Sequence, residues 1–154
     1  NQNLGFLYAT QGKNNEALKF YLEIVEDENV NFRDKIAAMS ELIKVYYDME
    51  EYEKASAVIE EALKLLKDAP ANGSYEFYDY VVHTYYYSVT KQSRKFVNLV
   101  KNQFIPFLME RKDYANTVIF ASILAKHYEN IYRYKDAAKY YKLANQIYKE
   151  IANI

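Results

Sequence analysis

Apolar positions in this chain recur at spacings of three and four residues almost from end to end, the pattern of amphipathic helices rather than of strands. The clearest stripe is Ile36, Met39, Leu42, Ile43 and Tyr46, answered by Ala55, Val58, Ile59, Ala62, Leu65 and Leu66 in the following helix. Two such stripes in succession must face each other, which predicts a helical hairpin. A small or apolar residue followed four positions later by a bulkier one marks four places: Ala17 with Tyr21, Ala55 with Ile59, Phe96 with Val100, and Ala137 with Tyr141. Successive first members lie 38, 41 and 41 residues apart. A period of that size is expected of stacked helical hairpins, each burying its apolar face against its neighbours.

The 154 residues thus read as one all-α repeat domain spanning the whole chain. Hairpins are expected at about 1–30, 31–70, 74–110 and 113–152. The helices within them fall at about 2–11, 14–27, 33–48, 51–68, 75–90, 92–110, 114–130 and 134–152. The three glycines and two prolines suit that division: Gly5 and Gly12 in the first hairpin, Pro70 and Gly73 after the second, Pro106 inside the third. The stretch from Asp68 to Ser74 is the one concentrated loop signal, with a proline to stop one helix and a serine to cap the next. It is expected to separate two pairs of hairpins. The third hairpin is the least regular. Tyr75, Phe77, Tyr78, Tyr80, Tyr85, Tyr86 and Tyr87 run nearly all round its first helix, and Pro106 should kink or end its second.

Composition changes this picture in two ways. Eighteen tyrosines demand an unusually aromatic core, and the same side chains serve in binding grooves. Twenty basic against 21 acidic side chains leave a formal charge of -1, which argues against phosphate-backbone binding by this segment. Without cysteine there is no disulfide, thiolate nucleophile or cysteine metal site, and a reducing, cytoplasmic setting is expected. No apolar run approaches the roughly 18 residues of a spanning helix, so no membrane partner is expected. A first residue that is Asn rather than Met, followed at once by helical pattern, predicts a segment of something longer.

Several residues resemble the tetratricopeptide pattern, a Leu-Gly-x-x-Tyr first helix and an Ala-x-x-x-Phe/Tyr second helix. Leu4, Gly5 and Tyr8 with Gly12, Ala17 and Tyr21 follow it. So do Leu124, Ala125 and Tyr128 with Ala137, Tyr141 and Ala144, and Leu42, Ile43 and Tyr46 with Ala55, Ile59 and Ala62. The ordinary unit is about 34 residues, so these repeats are long. Long repeats of this kind, with the stretches Phe104 to Tyr114 and Tyr134 to Ala144, resemble the C-terminal domains of the Rap, NprR and PlcR group of bacterial quorum-sensing receptors. The resemblance implies a right-handed α-solenoid of about four hairpins that binds a short signalling peptide on its concave face. It also implies an effector, DNA-binding or phosphatase-type, elsewhere in the whole protein.

In a tetratricopeptide solenoid the first helix of each hairpin lines the inner surface. Its residues off the packing stripe are the candidate peptide contacts: Lys44 and Tyr47, Tyr78 and Tyr85, and Asn116, Ser122, Lys126, Glu129 and Asn130. Asn offers a donor and an acceptor to a peptide backbone, Lys44 or Lys126 could hold a carboxylate, and the tyrosines could form apolar pockets. Each taken singly also reads as a solvated face residue, and most rings between Tyr75 and Tyr87 read as core. His83 and His127 lie in different hairpins without ligand-spaced neighbours, so neither metal nor cofactor is expected. No phosphate loop or nucleophile elbow is present, and no enzymatic activity is expected. The competing readings are a constitutive protein-interaction scaffold and the repeat half of a response-regulator phosphatase. The end faces of a solenoid segment also invite a homodimer.

Overall fold

A computed structural model describes the backbone of residues 2–152 and the side chains of residues 12–152. Every secondary-structure element among them is helical: α1 Gln2–Glu26, α2 Phe32–Asp48, α3 Tyr52–Lys67, α4 Glu76–Val89, α5 Ser93–Leu99, α6 Ile105–Glu110, α7 Tyr114–Asn130 and α8 Tyr134–Ala152. A π-helical stretch, Val100–Phe104, joins α5 to α6. The chain divides into two compact units, Asn1–Lys91 and Gln92–Ile154.

In the first unit α2 packs against α1, α3 and α4. Its core is the predicted double stripe, Ile36, Met39, Leu42 and Ile43 against Ala55, Ile59 and Ala62, extended by Val81, Val82 and Tyr85 of α4. Ala55 and Ala62 are fully buried. Their small side chains let α3 approach its neighbours closely, which is why they recur in the pattern. The loop after α3 lies within this unit, since α4 packs on both α2 and α3. It is tied to the start of α2: the Tyr75 ring stands edge-on to Phe32 at 4.7 Å, Arg33 covers the ring at 4.7 Å, and the Arg33 guanidinium donates to the Ser74 carbonyl at 3.1 Å. Gly73 is needed there because a Cβ would meet the Tyr75 hydroxyl at 2.6 Å. Ser74 does not cap α4, as the sequence suggested; Tyr75 holds the N-cap position without a side-chain bond.

The second unit packs α7 against α6, the π segment and, above all, α8. Phe104 meets Phe120 with ring centres 4.5 Å apart, and Tyr128 stacks on Tyr140 at 5.9 Å. Leu124, Ala125, Ala137, Ala144 and Ile147 complete this core. Phe96 and Val100, one of the four predicted pairs, are both buried.

Two local expectations are corrected. The break predicted near Gly12 is absent: α1 runs through it as one helix, so residues 2–11 and 14–27 are not separate helices. Gly12 has no positive φ, and a glycine that keeps helical angles weakens a helix without ending it. The side chains of Leu4, Gly5 and Tyr8 lie outside the described residues. Pro106 does not end its helix, and the disturbance expected there takes the form of a π segment that divides the expected helix 92–110 into α5, Val100–Phe104 and α6. The Ile105 amide reaches back five residues to the Val100 carbonyl, and this π turn immediately precedes the proline, which then occupies the first turn of α6. A first-turn proline forfeits no helical hydrogen bond, so the π insertion absorbs its cost.

Four turns share one geometry. Glu50, Lys91, Lys112 and Tyr132 all have positive φ, between 56° and 64°. The turns at Glu50, Lys112 and Tyr132 close with the amide of the next residue donating to a carbonyl five positions back: Glu51 to Tyr46 at 2.8 Å, Asp113 to Leu108 at 2.9 Å and Arg133 to Tyr128 at 2.8 Å. This left-handed helix stop is usually a glycine. Glu50, Lys91 and Tyr132 each stand five residues before a member of the repeating set Ala55, Phe96 and Ala137.

Candidate binding site

The first unit gathers several of the predicted residues between α2 and α4. Lys44 and Tyr47 lie one turn apart on α2, with Asp48 beside them at its end. Tyr85 and Ser88 lie one turn apart on α4. The Tyr47 hydroxyl is 2.6 Å from Ser88 Oγ, and its ring stands edge-on to Tyr85 at 5.1 Å and to Tyr52 at 5.3 Å. Lys44, whose side chain is only 17% exposed, pairs with Glu41 at 3.4 Å. The result is a polar and aromatic surface that carries one lysine with a mostly covered side chain.

Electrostatics follow from that packing. Burial pushes the Tyr85 hydroxyl far above its usual range, helped by the charge of Asp48. Tyr85 is 4% exposed, so its ring belongs to the core and supports Tyr47 from beneath. Asp48 keeps an exposed side chain, yet the surrounding protein raises its carboxyl pKa, with Lys44 acting in the opposite sense. Tyr78 is half-buried against Phe77, with ring centres 5.4 Å apart.

In the second unit the predicted residues divide by position along α7. At its start the Asn116 amide group is spent on Asp113, the N-cap residue, donating to its carboxylate at 2.8 Å. The Ser122 hydroxyl bonds to the Val118 carbonyl at 2.7 Å. Both make these bonds locally, within α7 and its N-cap. At its end Lys126 pairs with Glu129 at 3.4 Å, Glu129 also accepts from the Tyr141 hydroxyl at 3.1 Å, and Asn130 is exposed beside them. There Glu129 and Asn130 line an open cleft of about 520 Å³ together with Tyr132, Tyr134 and Tyr141. Tyr132 and Tyr134 are absent from the sequence-derived set. The only signal was a tyrosine standing in a turn, where periodicity says nothing.

The histidines serve their own units. His83 bonds through Nδ1 to the Asp79 carbonyl at 2.9 Å and lies 3.3 Å from its carboxylate. The Asp79 carboxylate raises its pKa against the opposing effect of burial, and the bond to the Asp79 carbonyl adds to that rise. His127 lies over Phe96 at 4.6 Å with Nε2 2.7 Å from Ser93 Oγ, and burial lowers its pKa. Among the described residues no group of three His, Cys, Asp or Glu could hold a metal, and no helix is long and apolar enough to cross a membrane.

No family model and no solved structure matches this chain. Its sequence is 31% identical over 157 aligned positions to the transcriptional activator NprA of Geobacillus stearothermophilus. This chain resembles part of a transcriptional activator. The alignment takes in 99% of this chain but 38% of NprA, so the chain spans well under half the length of that relative. Both helical units fall within the stretch that resembles NprA.

Proposed function

We infer that this chain is a non-catalytic peptide-binding repeat domain, the sensor part of a bacterial transcription regulator that works in the cytoplasm. Its helices are read as tetratricopeptide-like hairpins of a right-handed solenoid. The recurrence of the same left-handed turn at Glu50, Lys91 and Tyr132, at a constant 41-residue spacing, supports that reading. The likeness to NprA over nearly the whole chain supports the regulator.

The observation that carries peptide binding is the α2 and α4 surface. Lys44, positioned on α2 by its pair with Glu41, offers a cation for a peptide carboxylate. Tyr47, held by Ser88 and backed by Tyr85, offers a rigid ring with little entropy left to lose on binding. A peptide that fits both the surface and its fixed rings shifts the chain toward the states that favour it, which is how a sensor transmits binding to an attached effector.

Selection from a displayed library of short random peptides tests the reading. A consensus with an acidic or C-terminal carboxylate position, lost with Lys44→Ala, is expected. Enrichment of no short peptide from a well-folded protein, or a consensus indifferent to Lys44 and Tyr47, would replace the sensor with a scaffold for larger proteins.

A further inference from the structure

Tyr132 is an anomaly of placement. It occupies the left-handed turn position with φ of 64°, where a bulky side chain is disfavoured and glycine is at home. Its ring is 78% exposed, so burial returns nothing for that choice. The equivalent turn residues Glu50 and Lys91 are charged surface groups, which shows that the turn itself does not call for an aromatic ring.

What the ring does is wall a cleft. Tyr132 and Tyr134 stand nearly perpendicular, at 77° with centres 6.3 Å apart. Tyr134 is also 62% exposed. Ala137 and Ala138 are small enough to leave the space open, and the Glu129 carboxylate closes it from α7. Glu129 is held in place by the Tyr141 hydroxyl at 3.1 Å. Its ion pair with Lys126 is loose, at 3.4 Å with the lysine side chain 63% exposed, so an incoming cation can replace that lysine.

We propose that this cleft binds an arginine side chain presented by a peptide or protein partner. Tyrosine faces attract a cation, and a planar guanidinium can stack on one ring while its N–H groups reach a carboxylate. An apolar occupant fits less well, because it would cover Glu129 without pairing it. This proposal rests on reading the chain as a binding module, but it concerns residues of the second unit rather than Lys44 and Tyr47 of the first.

The test is a titration of the 154-residue chain, carrying fluorinated tyrosine, with N-acetyl-arginine amide and, in parallel, with its neutral isostere N-acetyl-citrulline amide. Saturable shifts of the Tyr132 and Tyr134 resonances by the arginine compound alone are expected, and they should be lost with Glu129→Gln. Tyr132→Gly should raise the unfolding midpoint while also removing the response of Tyr134. Equal shifts with citrulline, no saturable shift with arginine, or a lowered midpoint for Tyr132→Gly would each overturn the proposal. A failed arginine titration beside successful selection of peptides that need Lys44 sinks the cleft alone; the reverse result sinks the sensor surface and keeps the cleft.

Discussion

The Tyr47 hydroxyl and Ser88 Oγ lie 2.6 Å apart across 41 residues of sequence, joining the end of α2 to the end of α4. That bond fixes the ring on which the candidate peptide surface depends. Removing either partner leaves the other without its mate in a half-buried setting. Tyr47→Phe and Ser88→Ala should each lower stability by about 1 kcal/mol, and the double variant should cost less than the two together. Chemical unfolding of the three variants measures this. Full additivity would mean that the two groups do not share a bond in solution.

The turn residues offer a prediction of opposite sign. Glu50 and Lys112 take a backbone conformation that glycine adopts freely, and both side chains are exposed. Glu50→Gly and Lys112→Gly should therefore raise stability by roughly 0.5–1 kcal/mol, the relief of the left-handed conformation exceeding the entropy glycine adds to the unfolded chain. A fall in the unfolding midpoint for both would contradict the turn geometry.

Gly12 tests whether α1 is one helix. It keeps helical angles, and nothing lies within 4 Å of where its Cβ would stand, so Gly12→Ala should stabilise the chain by up to about 1 kcal/mol and increase its helical circular dichroism. Destabilisation would mean that the chain turns at Gly12, as its repeat position suggests.

That position explains why the sequence misleads there. Gly12 stands five residues before Ala17, as Glu50 does before Ala55, so local pattern alone places a turn at both. Helix or turn at such a residue depends on what packs on either side, which periodicity does not encode. The α2 and α3 hairpin was legible because Ile36, Met39, Leu42 and Ile43 face Ala55, Ile59 and Ala62 at regular spacing. Pro106 was legible as a disturbance, but not the π turn that accommodates it, since an inserted residue changes no residue type. Of the candidate site, Lys44 and Tyr47 followed from their offset from the packing stripe. Tyr85 shared that offset yet is buried, because α4 is apolar on more than one side. Tyr132 was hidden because its role comes from a turn that brings it beside Tyr134 and Glu129.

The core of the second unit should be its most sensitive part. Phe120 is fully buried against Phe104 at 4.5 Å, and Phe120→Ala leaves a cavity between rigid rings. A loss of about 3–5 kcal/mol is expected, read from denaturant midpoints at unchanged slope. A loss below about 1 kcal/mol would show that the ring is not packed as described.

The two histidines should titrate on opposite sides of their ordinary value of 6.5. Because the folded state raises the His83 pKa, its contribution to stability is fully present below that value and is lost as pH rises through the folded pKa. His127 has the reverse sign. Its folded pKa is depressed, so the unfolded chain takes the proton first and stability falls as pH drops below 6.5. Ring proton shifts followed by NMR give both midpoints, and the reverse order would contradict the Asp79 hydrogen bond or the burial of His127.

The central claim, that this chain is a peptide-binding module, is tested most directly by its thermal unfolding midpoint in the presence of pooled synthetic peptides of about five to ten residues. A ligand that binds only the folded state must raise that midpoint, by an amount set by its concentration relative to its affinity. A clear upward shift that disappears with Lys44→Ala, in a variant that still unfolds cooperatively, is the predicted result. An unchanged midpoint across a broad pool of apolar, acidic and basic peptides would contradict it.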